Sequence, residues 1–133
     1  MAIRIPNKNP LDLTMRKAIG VSIPFNAPAV FNSTFSTTDQ IKSNIINYIL
    51  TNKGERVLNP NFGSNIRNLL FENITDNNLL ELTQLISAEI ASFFPMVNIQ
   101  QFNITPNYDN NEVSVDIVYS IYNNPSDTIS IIL

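Results

Sequence analysis

Val113-Ser114-Val115-Asp116-Ile117-Val118-Tyr119-Ser120-Ile121-Tyr122 carries the clearest period in the chain, with Val113, Val115, Ile117, Tyr119 and Ile121 in one phase and Ser114, Asp116, Val118, Ser120 and Tyr122 in the other. Successive side chains of a strand point to opposite faces, so this stretch predicts a strand with one face turned to a core. Just upstream, Asp109-Asn110-Asn111 supplies turn chemistry. Before that turn, Val97–Ile104 also reads as a strand, but its apolar phase slips between Ile99 and Phe102, which predicts a bulge. Downstream, Asn123-Asn124-Pro125-Ser126 turns the chain before a third strand over Thr128–Leu133. The last third is therefore an antiparallel meander.

The middle of the chain has a helical period instead. Thr37-Thr38-Asp39-Gln40 reads as a capping box, with Thr37 accepting an orphan amide and Gln40 reaching back. Ile41, Ile45, Tyr48 and Ile49 then recur at helical spacing, and Lys53 with Gly54 supplies a stop. The segment 54–64 holds too many breakers for regular structure. Ser64 is expected to cap a second, short helix through Phe71 that buries Ile66, Leu69 and Leu70. A third helix, opened by Asp76 and running to Phe93, places Leu79, Leu82, Ile86, Ile90 and Phe93 on one stripe and ends before Pro95. Three helices and then a meander make an α+β layout.

Residues 1–36 have a different character. Pro6, Pro10, Pro24 and Pro28 each fix φ and bias the preceding residue toward extended geometry. Only 11–19 suggests a short helix. The expectation is an extended, partner-binding arm over 1–36 ahead of a single α+β domain over 37–133. Charge divides the same way: Arg4, Lys8, Arg16 and Lys17 against Asp12 give +3, whereas four cations against ten acids give −6 over 37–133. A basic arm on an acidic body points to a partner-facing N-terminus.

Composition closes off much chemistry. The chain of 133 residues has no Cys and no His, which removes thiol nucleophiles, disulfides, thiolate metal sites and imidazole bases together. Gly20, Gly54 and Gly63 fall in no phosphate-binding spacing. No basic patch is interleaved with aromatics, so nucleic acid is a poor partner. No apolar run approaches the ~18 residues that span a bilayer, and the N-terminus lacks a signal-peptide pattern. Neither a cofactor nor a small-molecule substrate is indicated. Carboxylates remain the main acids and bases. Glu81 and Glu89 read as solvated helix positions. Glu55 and Glu72 lie beside apolar residues and near Arg56 or Arg67 in sequence, where an ion pair tying the loop to the helices outweighs a catalytic dyad.

The central motif Tyr48-Ile49-Leu50-Thr51-Asn52-Lys53-Gly54-Glu55-Arg56-Val57-Leu58-Asn59-Pro60-Asn61-Phe62-Gly63-Ser64, with Leu69-Leu70-Phe71-Glu72 after it, resembles the baseplate wedge proteins of contractile phage tails known as sheath initiators. Val115-Asp116-Ile117 and Asn124-Pro125-Ser126-Asp127 look like the same family, and the likeness covers about residues 37–133. In this reading Gly54, Glu55, Arg56, Pro60, Phe62, Gly63 and Glu72 form a structural loop. Gly54 and Gly63 permit positive φ, Phe62 plugs the loop into the helices, and Arg56 bonds loop carbonyls or Glu72.

The resemblance implies a non-enzymatic structural subunit of the virion tail baseplate, assembled in the host cytoplasm in several copies of a sixfold structure. Its implied partners are wedge core proteins and the tail sheath protein. The family often carries Glu-Pro-Arg at the end of the third helix for docking on the wedge core; here Phe94-Pro95-Met96 stands there, keeping the proline and losing both charges. The C-terminal Ile129, Ser130, Ile131, Ile132 and Leu133 would offer an edge to which sheath strands add; a strand buried within this domain's own sheet is the other reading. Two alternatives in function are a lysozyme-like peptidoglycan hydrolase using Glu55 and Glu72, and a small adaptor unrelated to tails.

Overall fold

The computed structural model describes residues 18–23, 33–71, 75–122 and 124–133, apart from the side chains of Leu69 and Leu70. The chain divides into two compact units, Met1–Asn47 and Tyr48–Leu133. The boundary falls inside a helix, α1 (Thr37–Leu50), that runs on through it.

In the first unit, β1 (Gly20–Val21) pairs antiparallel with β2 (Ser33–Thr34). The periods of the sequence give no sign of this small ladder, in a segment expected to be an extended arm; most of the 11–19 helix expectation lies outside the described residues. Helix α1 begins at Thr37 as expected, but its cap is Ser36. The Ser36 hydroxyl accepts the Asp39 amide at 3.2 Å, and the Ser36 carbonyl takes the Gln40 amide. Gln40 does not reach back. Its Oε1 accepts from the Thr34 hydroxyl and its Nε2 donates to Asn44 one turn on, so other nearby partners take the place of the capping box. Ile41, Ile45, Tyr48 and Ile49 are all buried, the apolar stripe that the spacing indicates.

In the second unit, α1 stops at Leu50, and Gly54 sits beyond it at φ +90°. The last carbonyls of a helix lack intrahelical partners. Here Ser64 supplies two: its hydroxyl donates to Ile49 O at 2.7 Å and its amide to Thr51 O at 2.8 Å. Ser64 therefore closes α1 and does not cap a helix of its own. The next element is a 3-10 helix of five residues, Ile66–Leu70, with Asn65 at its N-cap and no side-chain cap bond. Among the described residues the count of three α-helices is thus corrected to two. One uncapped turn and a half is too short to propagate an α-helix. Ile66 is buried as expected.

Helix α2 (Asp76–Phe93) has the expected bounds, with Thr75 as its cap at extended φ and ψ and Asn78 N donating to its side chain. Ile86 and Ile90 are its buried residues, and it packs on β3.

The sheet has the order β3 (Val97–Asn107), β4 (Glu112–Ile121), β5 (Asp127–Ile132), antiparallel throughout. The register of β3 on β4 shifts between Ile99 and Gln101, the bulge that the phase slip indicated. It lets Ile99, Phe102 and Ile104 share a face with Tyr119, Ile117 and Val115 opposite. Ile129 and Ile131 continue that face on β5. The other face carries Asn98, Gln101, Asn103, Ser114, Asp116 and Ser130, in keeping with an antiparallel sheet that covers one side only.

Candidate functional site

The loop after α1 is built by its own polar groups. Gly54 N donates to Pro60 O at 2.9 Å, Glu55 N to Asn52 O, and Phe62 N to Asn59 O. The Glu55 carboxylate accepts from both the backbone and the side-chain nitrogen of Asn52. Gly63, at φ +122°, presses on the preceding turn so closely that a Cβ would stand 2.5 Å from Thr51 O.

Phe62 plugs this loop into an aromatic cluster. Its ring meets Tyr48 edge-on with centroids 5.3 Å apart and Phe93 at 5.4 Å, while Tyr48 also meets Phe94 edge-on at 6.5 Å. These are the edge-to-face geometries that aromatic quadrupoles favour. The Arg56 guanidinium lies 4.0 Å over the Phe62 ring. Its observed contact is a cation–π stack on that ring. Glu72 itself lies outside the described residues.

Glu89, expected at a solvated helix position, is engaged instead. It accepts the Tyr48 hydroxyl at 2.5 Å and pairs with Lys53. Burial pushes the Tyr48 hydroxyl well above the ordinary tyrosine range, and the hydrogen bond to Glu89 and that residue's charge add to the effect. The ion pair observed beside the loop joins Lys53 to Glu89 of α2. The only sequence signal for it is that the hydroxyl, the ammonium and the carboxylate are all present.

At the corner between α2 and β3, Phe94 leans on Tyr48, Pro95 is exposed and Met96 is half-buried. Tyr122, which sequence reasoning does not single out, joins this corner: its amide donates to Met96 O at 3.3 Å. It holds φ +52°, unusual for a bulky residue, and its ring is exposed.

At the sheet's edge, Ile129 is buried while Ser130 and Ile132 are exposed. Val113 and Leu133 exchange both backbone bonds. By antiparallel alternation, the pairs Val115–Ile131 and Ile117–Ile129 then face each other with bonds, while the amides and carbonyls of Thr128, Ser130 and Ile132 point away from β4. No described strand pairs with that side. β5 thus belongs to this domain's own sheet and, among the described strands, is the last in its order. Among the described residues no three carboxylates gather where they could hold a metal ion, and no helix is long and apolar enough to cross a membrane.

Comparison with known proteins decides the family. The model of the family described as Baseplate wedge protein gp25 matches residues 36–126. The chain belongs to this family. Baseplate wedge protein gp25 of Enterobacteria phage T4 is 31% identical over 87 residues, which are 65% of this chain and 66% of that protein. The match thus spans just under two thirds of that relative. A solved structure named as a candidate tail lysozyme from Geobacter sulfurreducens superposes with a TM-score of 0.63 at 21% identity, covering 74% of this chain and 90% of its own. That likeness concerns the fold. The gp25-family match contains the braced loop, the aromatic cluster, the corner and the last turn, but not β5, which begins at Asp127.

Proposed function

We propose that this chain is a non-enzymatic subunit of a contractile-tail baseplate that docks on the wedge core and presents β5 to strands of the first sheath ring. The observation that carries the reading is the unequal treatment of the two sheet edges. Exposed edges invite pairing and are commonly blunted by proline or bulges. The β3 edge has both: a bulge at Gln100 and Pro106, which lies opposite Val113 in a position whose amide would point outward. The β5 edge has neither, and its register on β4 runs unbroken from Asp127 to Ile132. A strand added there gains main-chain bonds from Ser130 and Ile132, with register set by alternate side chains.

Docking on the wedge core falls to Phe94, Pro95 and Met96, an apolar corner in place of a charged one, with the exposed ring of Tyr122 beside it. The assembly places several copies in the sixfold baseplate of the virion, put together in the host cytoplasm, with 1–36 as the arm that binds neighbours. A structural role suits the carboxylates. Glu55 is occupied by Asn52, and Glu89 by Tyr48 and Lys53, so both accept bonds within the chain itself.

Ser130→Pro tests the edge. It removes an outward amide while leaving the bonds between β4 and β5 in place, and Ser130→Ala removes the hydroxyl alone. Capture of the cognate sheath protein should be lost with Ser130→Pro and kept with Ser130→Ala, both variants being folded by circular dichroism. Equal capture by the two variants would rule out pairing at β5.

A further inference from the structure

Two adjacent large apolar side chains stand in water at the tip of the braced loop: Val57 is 95% exposed and Leu58 100%. Single exposed apolar residues are ordinary on protein surfaces. This pair differs because the loop beneath it is rigidly built. The Gly54–Pro60 and Asn59–Phe62 backbone bonds, the Glu55–Asn52 clasp and the buried Phe62 ring hold the tip out and stop it from folding back over its own apolar groups. A loop fixed in advance loses little freedom on binding, so burial of its tip translates more fully into affinity.

The charges around the tip indicate what it meets. Over residues 48–133 the only cations are Lys53, Arg56 and Arg67, all within fifteen positions of one another, against nine acids of which only Glu55 precedes Glu72. Glu55, though exposed, is engaged by Asn52, and Lys53 is paired with Glu89. Arg56, adjacent to Val57, is exposed and uses its face on Phe62. A stacked guanidinium retains its in-plane donors, which suit a carboxylate.

We infer that Arg56-Val57-Leu58 is a plug for an apolar pocket, rimmed by at least one carboxylate, on a neighbouring baseplate protein. A membrane surface is the less fitting occupant, because two apolar residues and one cation on a chain of net charge −3 are little to hold a bilayer. The inference rests on membership of the baseplate family and is independent of strand pairing at β5.

The chain has no cysteine, so Leu58→Cys creates a unique thiol. In the isolated chain it should react with a maleimide at the rate of a free exposed thiol. In purified baseplates that contain the variant it should react at least about tenfold more slowly, whereas Asn110→Cys, at the turn between β3 and β4, serves as the exposed reference. The double variant Val57→Ser/Leu58→Ser should keep the wild-type melting curve, since neither side chain is packed, and bind cognate wedge proteins at least about tenfold more weakly, the loss typical of a buried anchor. Arg56→Glu should weaken the same binding. Unchanged labelling of Leu58→Cys in assembled baseplates would overturn the inference, as would unchanged affinity of the double variant. Protection by anionic phosphatidylglycerol vesicles alone would overturn it in favour of a lipid surface.

Discussion

At φ +122°, with the Thr51 carbonyl oxygen 2.5 Å from where a Cβ would stand, Gly63 combines backbone strain with a direct clash for any other residue. Gly54, at φ +90° with open space around its Cβ position, meets the first problem only. Gly63→Ala should therefore cost about 3 kcal/mol or more and Gly54→Ala about 1–2 kcal/mol, read as urea midpoints. Ser64→Ala leaves the Ile49 carbonyl without its buried donor and should cost about 1–3 kcal/mol in the same measurement. Tyr48 makes a prediction about pH. In the unfolded chain its hydroxyl ionises near pH 10; in the fold, burial and Glu89 hold the proton on. Above that pH the folded state keeps a proton that the unfolded state releases, so this contribution to stability falls as pH rises. Tyr48→Phe should show a shallower fall in urea midpoint between about pH 9 and pH 11 than the wild type. The positive φ at Gly54 and Gly63 was legible in the turn motif. The service of Ser64 to α1 was not, because a serine before an apolar run looks like a cap for the run itself.

Apart from the small β1–β2 ladder, the elements form where the periods place them, and their departures have local causes. The bulge in β3 was visible as a phase slip because a period of two cannot absorb an extra residue. The second helix shrank to one 3-10 turn and a half because its expected cap was engaged elsewhere. The edge strand gives a sharp comparison between neighbouring residues. Ile131 faces β4 with its amide, whereas Ser130 faces away. Ile131→Pro should cost about 3 kcal/mol or more, and Ser130→Pro distinctly less, in chemical denaturation monitored by far-ultraviolet circular dichroism. A larger loss for Ser130→Pro than for Ile131→Pro would mean that the alternation of β5 is the reverse of that described. Sequence alone could not fix this parity, since both phases of the segment 129–133 contain isoleucine.

For the whole molecule, an assembly role implies that the isolated chain is a monomer or weak oligomer, its contacts reserved for the baseplate; a tight symmetric oligomer in sizing chromatography with light scattering would count against it. The sequence by itself determined the α+β class, the bounds of α2, the meander and its bulge, and the family, because periodicity, turn chemistry and a spaced loop motif are local and survive in one dimension. Tertiary structure alone decided that Ser36 and Ser64, in place of Thr37 and Lys53–Gly54, finish the two ends of α1. It likewise paired Glu89 with Tyr48 and Lys53 and laid Arg56 on Phe62. It also separated a blunted β3 edge from an open β5 edge and left Val57 and Leu58 in water. Each of these depends on which of several chemically competent partners the fold brings within reach. A hydroxyl, a carboxylate or a guanidinium carries no mark in the sequence of the group it will meet.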